Sequence, residues 1–98
     1  MSRTPLSGDE LASLLAAYPA WANEHGRLVR RVVAPFALGA AYVAAVSTFT
    51  EVLDHHPLVT VGYDETVISV WTHDREQFTQ WDAALVRFTE SWLRAQGV

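Results

Sequence analysis

Cysteine is absent from the 98-residue chain. Disulfides, thiolate metal ligands and a cysteine nucleophile are therefore excluded. Lysine is also absent; all seven basic residues are arginine, which reads as compositional bias rather than chemistry. Excess positive charge is lacking, and the net charge of −4 argues against a nucleic-acid surface, where clustered cations are expected. The amino terminus lacks the basic-then-apolar pattern of a secretory signal, so a cytoplasmic protein is expected. No repeat, linker or low-complexity tract is present. Charge is missing altogether from Val32 to Thr50, a length that could span a bilayer. Pro35 and Gly39 interrupt that stretch, and Ser47, Thr48 and Thr50 are polar. The end of a strand followed by a core helix accounts for it better than a membrane span.

What is present is an ordinary globular composition, with half of the residues hydrophobic. The length predicts one domain over residues 1–98. A core of that size gives modest stability, which self-association can supplement.

Ser7 with Glu10 three residues on reads as a capping box. Leu11, Leu14, Leu15 and Tyr18 follow at helical spacing, and Pro19 ends the helix. Trp21 opens a short irregular or extended piece, and Asn23-Glu24-His25-Gly26 reads as a turn. Leu28 to Val33 is a strand by its β-branched content. Arg30 and Arg31 within it must face opposite ways, which would put one of them near a pocket or an interface; two solvated edge charges are the expected reading. From Phe36 to about Leu53 runs the longest helix, with Tyr42, Val46, Phe49 and Leu53 facing the sheet. Pro57 disfavours helical backbone at His56, so that helix is expected to end near His55. If it does, Glu51 and His55 lie four apart on one face. Leu58 to Tyr63 and Thr66 to Thr72 pair as a hairpin. Asp74 to Phe78 is a loop, and Thr79 with Asp82 opens the last helix. Trp81, Leu85, Phe88 and Trp92 line that helix as core or subunit interface rather than cofactor platform. The expected fold is α+β: a four-stranded antiparallel sheet with three helices on one face, in the order α-β-β-α-β-β-α.

Three of the four histidines, His55, His56 and His73, end apolar segments between Glu51 and Asp82. Function concentrates at such element ends. If the hairpin packs beside the helix end, all three can line one cleft. Two chemistries fit: metal-free acid–base catalysis, because imidazole titrates near neutrality, and a histidine metal site. A structural role, capping the helix and satisfying local carbonyls, stands beside them.

The spacing closely resembles the signature of the pterin-4a-carbinolamine dehydratase family. That signature is Glu-x3-His-His-Pro-x5-aromatic-x9-His-x8-Asp, matched here by Glu51, His55-His56-Pro57, Tyr63, His73 and Asp82 without a gap. A weaker likeness covers Leu11 to Trp21, the strand after it, and the long helix. The resemblance implies a 4a-hydroxytetrahydrobiopterin dehydratase, a hydro-lyase that takes water from C4a of a 4a-hydroxytetrahydropterin and leaves a quinonoid dihydropterin. It implies no metal and no other cofactor. His55 and His73 would be the acid–base pair, with His56 binding and orienting the pterin. Glu51 would orient His55 or meet a polar pterin edge; Asp82 would fix His73 or the helix start. Thr72 and Pro57 would bind substrate or support the histidines. The chain departs from the family in lacking glycines over Asp74-Arg75-Glu76-Gln77-Phe78 and in carrying Leu58 where a large aromatic or polar residue is common.

Beside the enzyme stand two alternatives: a non-catalytic protein-binding or assembly module of the same fold, and a related role in pterin or molybdopterin metabolism. The complete histidine set favours the enzyme. The implied partners are a small-molecule pterin and further copies of the chain, as a homodimer or homotetramer, with neither nucleic acid nor membrane.

Overall fold

Ser7 and Glu10 start the first helix as their spacing predicts. In the computed structural model, which describes residues 4–53, 55–72 and 77–98, the Ser7 N–H donates to Glu10 Oε1. The Glu10 N–H donates back to Ser7 Oγ. The bond from the Ser7 backbone holds the Glu10 carboxyl below its ordinary range. The helix, α1, spans Gly8–Ala17 and buries Leu14.

After Pro19 the chain turns straight into a strand, β1 (Trp21–Glu24), which pairs antiparallel with β2 (Arg27–Val33). Only His25 and Gly26 connect them, both at positive φ (55° and 82°). Such a two-residue turn matches the twist of the flanking strands. Trp21 thus opens an extended piece, as one of the two expected readings had it, and is buried, while Asn23 and Glu24 belong to the strand and not to the turn.

Helix α2 covers Phe36–Leu53, the predicted bounds. Then come β3 (Leu58–Val61), β4 (Glu65–Val70) and α3 (Gln80–Ala95). β3 is shorter than expected because Gly62, Tyr63 and Asp64 form the turn, while β4 starts one residue earlier than expected and ends at Val70, before Trp71 and Thr72. The antiparallel sheet has the order β1-β2-β4-β3, so the two hairpins meet through β2 and β4.

Register decides which face carries the core. Leu28 pairs with Val70, Arg30 with Ile68 and Val32 with Thr66. These side chains point to one face, and Leu28, Val32, Ile68 and Val70 share a core with Leu14 of α1, Tyr42 and Val46 of α2, and Leu85, Val86 and Leu93 of α3. All three helices therefore lie on that face. The opposite face carries Arg31 and Glu24, joined by two hydrogen bonds, with the Arg31 bond holding the Glu24 carboxyl below its usual range. It also carries Trp71, whose ring lies 3.9 Å beneath the Arg27 guanidinium.

Arg30 departs from the expectation of a solvated edge charge. It points to the core face, and its Nε donates to Glu90 Oε1 of α3 at 2.8 Å. The Trp21 indole donates to the same oxygen at 2.8 Å. Glu90 thus ties β1 and β2 to α3, a partner sixty residues away that no local pattern reveals.

Two close contacts fix α2 on the sheet and on α3. A Cβ at Gly39 would overlap Thr66 Oγ1 and come within 2.6 Å of Val61 Cγ1, so glycine permits the approach of helix to hairpin. Tyr42 donates or accepts a 2.7 Å bond with Thr89 inside the core. Burial pushes the Tyr42 phenol up to about 12, with the Glu90 charge adding to it and the Thr89 bond opposing it.

The aromatic side of α3 is packed within the chain. Phe88 stacks on Phe49 at 4.5 Å, and Trp92 meets Tyr42 edge-on at 5.6 Å. Leu85 is fully buried. The stripe is core, and it does not offer the bare surface on which self-association was expected. No described helix is long and apolar enough to cross a membrane.

Candidate active site

α2 ends at Leu53, before the histidine pair. His55 and His56 therefore lie in the connection to β3, followed by Pro57. Outside the helix, successive residues are free to point apart, and these two do. His55 turns inward and is 6% exposed. His56 turns outward and is 56% exposed.

The inward ring meets α3. Its Nε2 lies 2.8 Å from Asp82 Oδ1, and Asp82 is fully buried at 0% exposure. Asp82 is brought there by the start of α3: its Oδ2 accepts the Thr79 backbone N–H at 2.9 Å, a helix-capping bond. The same Oδ2 accepts the Thr72 hydroxyl at 2.8 Å. Thr72 and Thr79 Oγ1 atoms are 3.0 Å apart. The Trp81 indole covers the imidazole, ring centres 5.5 Å apart and tilted by 40°.

A buried carboxylate needs partners for its charge. Asp82 has three: two donors on one oxygen and an imidazole on the other. A carboxylate held against an imidazole orients the ring and stabilises the imidazolium that forms when the ring takes up a proton. The 2.8 Å contact with Asp82 fixes the orientation of the His55 ring.

The outer pair is looser. Glu51 Oε1 lies 3.9 Å from His56 Nε2, and Glu51 is 79% exposed. That distance is outside hydrogen-bond range, and solvent screens such a pair. The helix stops short of the length at which Glu51 and His55 would share a face; Glu51 stands beside His56 instead. Pro57 is half-buried next to them. His73 lies outside the described residues, as do Asp74, Arg75 and Glu76 of the predicted loop. Asp82 meets His55 and the helix start, two tasks for one carboxylate. Among the described residues, no group of three or more His, Asp or Glu is placed to hold a metal ion.

Sequence reasoning missed two members of this cluster. Thr79 was read only as a helix start, and Trp81 only as part of the core stripe. The Thr79-x-x-Asp82 pattern was the available signal for the first; the second depends on where His55 falls in three dimensions. A cavity of about 430 Å³ also opens beside Thr72, lined among others by Leu6, Asn23, Trp71 and Phe78. It reaches the Asp82 cluster only at Thr72 among the described residues.

The fold and this cluster define a class: a small α+β domain with a carboxylate-held histidine at a helix–strand junction. Comparison with known proteins makes the assignment particular. The family model described as pterin 4 alpha carbinolamine dehydratase matches residues 4–92, and the chain belongs to that family. A Streptomyces coelicolor relative, named as an inferred pterin-4-alpha-carbinolamine dehydratase, is 37% identical over 100 residues, covering 99% of this chain and 98% of its own. A Chloroflexus aurantiacus relative with the same inferred name is 35% identical over 81 residues, covering 82% and 87%. A crystal structure of a transcriptional coactivator/pterin dehydratase from Brucella melitensis superposes with a TM-score of 0.80 at 22% identity, covering 90% of this chain and 97% of that one. At that identity it shows the shared fold.

Proposed function

We propose that the chain dehydrates a 4a-hydroxytetrahydropterin to the quinonoid dihydropterin, with the biopterin form as one substrate. One observation carries the reading: in a chain of this family, with the histidine signature complete, His55 is held by a buried carboxylate. The reaction removes the C4a hydroxyl and the proton on the adjacent ring nitrogen, and the new bond is the carbon–nitrogen double bond between them. It needs an acid that protonates the departing hydroxyl and a base that takes the nitrogen proton. His55 and His73 are the assigned pair, His73 by its place in the signature. His56, exposed beside Glu51, binds and orients the pterin. No metal, nucleotide or covalent intermediate enters this scheme.

The test is the dehydration rate of a freshly generated 4a-hydroxytetrahydropterin, with and without exhaustive chelation. Acceleration over buffer that survives chelation is expected. A rate equal to buffer would favour a protein-binding module; a rate lost on stripping and restored by zinc would sink the metal-free mechanism.

Self-association is part of the same proposal, on a surface other than the aromatic stripe. The outer side of α2 exposes Phe36, Ala40, Val43, Ala44 and Ser47. These carry no charge and only small or apolar side chains, which lets a second copy of the helix approach closely. Sedimentation at tens of micromolar is expected to show a dimer or tetramer; a monomer would remove this part.

A further inference from the structure

The hydrogen atoms around Asp82 can be counted, and the count has a direction. The Thr79 backbone N–H can only donate, and it donates to Oδ2. The Thr72 hydroxyl spends its single hydrogen on the same oxygen. Its 3.0 Å contact with Thr79 Oγ1 must then run the other way, with the Thr79 hydroxyl donating to Thr72. Thr72 and Thr79 are buried, and the Thr72 hydroxyl and the Thr79 N–H both point toward the carboxylate. Oδ1 is left facing His55, and an ionised carboxylate accepts only. The hydrogen between them therefore belongs to His55 Nε2.

We propose that Thr72 and Thr79 are positioning residues that turn Asp82 so that His55 is locked as the Nε2–H tautomer, which assigns Nδ1 as its proton-exchanging atom. The proposal rests on the dehydratase reading only for what the proton is exchanged with. The tautomer itself follows from the bonds around Asp82.

The chain of donors makes a specific variant informative. In Asp82→Asn the Thr79 N–H cannot reverse, so the amide oxygen stays on the Thr72 and Thr79 side. The amide NH₂ then faces His55 and donates, Nε2 becomes the acceptor, and the imidazole hydrogen moves to Nδ1. A misplaced tautomer removes the base while the geometry survives.

The experiment is nitrogen-15 NMR of His55 in the full chain, at a pH alkaline enough to keep the ring neutral. The expected spectrum of the wild type has a pyrrole-type Nε2 and a pyridine-type Nδ1. In Asp82→Asn the two are expected to exchange character, with kcat down by at least about tenfold. Thr72→Val is expected to keep the tautomer and lower kcat several-fold, with Thr72→Ser restoring it. A wild-type His55 protonated on Nδ1, or averaged between both nitrogens, would overturn the assignment. So would an Asp82→Asn spectrum unchanged from wild type, or equal activity in Thr72→Val and wild type. Should Asp82→Asn fail to fold, the wild-type spectrum and the Thr72 pair still decide. The expected tautomers in a protein that never accelerates dehydration would sink the dehydratase reading and leave the positioning intact.

Discussion

His55 and His56 share a peptide bond and little else. One is buried, bonded to a buried carboxylate and covered by an indole ring. The other is more than half exposed, 3.9 Å from an exposed glutamate. The difference comes from the chain leaving α2 at Leu53, which frees neighbours to point apart. Under the proposed function the pair divides labour: the fixed ring would serve proton transfer, where geometry controls rate, and the adaptable ring would serve binding. Position in the chain would have treated the two as equivalent.

The largest effect expected from this comparison is in the buried arm. His55→Ala should lower kcat by about 10² or more, the range for a positioned acid–base group, and His73→Ala by a similar amount. Because the uncatalysed dehydration is itself appreciable, the background rate must be subtracted in steady-state kinetics. A smaller change is expected in the exposed arm: His56→Ala should raise KM by about tenfold with kcat nearly kept, as for loss of uniform binding. A fall in kcat equal to that of His55→Ala would erase the distinction.

A further variant sharpens the contrast between two buried polar pairs. Tyr42–Thr89 is internal to the core, and its loss should affect stability alone. Tyr42→Phe should cost about 1 kcal/mol in denaturant unfolding and leave kcat unchanged. Its pH dependence has a definite sign. The folded phenol titrates near 12 against an ordinary value near 10. The folded state thus holds the proton more tightly, and stability is kept below about pH 10 and lost as pH rises through about 12. That loss, on the order of 2–3 kcal/mol, should be absent in the Phe variant. The smallest effect is reserved for Glu51→Ala, which should change kcat and KM by less than about threefold, as screened exposed pairs do. Loss as severe as in His55→Ala, with folding intact, would overturn its supporting role.

Much of the fold was legible in the sequence because its signals are local. The Ser7–Glu10 box, the helical spacing from Phe36 to Leu53 and the alternation along Glu65–Val70 each lie within one element. The tight seat at Gly39 is not legible locally, because its partners, Val61 and Thr66, lie more than twenty residues on. What failed to show was long-range and polar. Arg30 was read as solvated because nothing near it announces Glu90. The aromatic stripe was read as core or interface, and only Phe49 and Tyr42 on α2 decide for core. In the site, the spacing from Glu51 to Asp82 was legible, but not which partner Asp82 takes. That choice depends on how α3 lies against the end of α2.

The most direct test of this division is a single-turnover measurement at saturating pterin, comparing wild type, His55→Ala and His56→Ala after metal removal. The account predicts that His56→Ala approaches the wild-type rate once the site is filled, while His55→Ala stays slower by about 10² at any concentration. Equal rates for the two variants under saturation would contradict it.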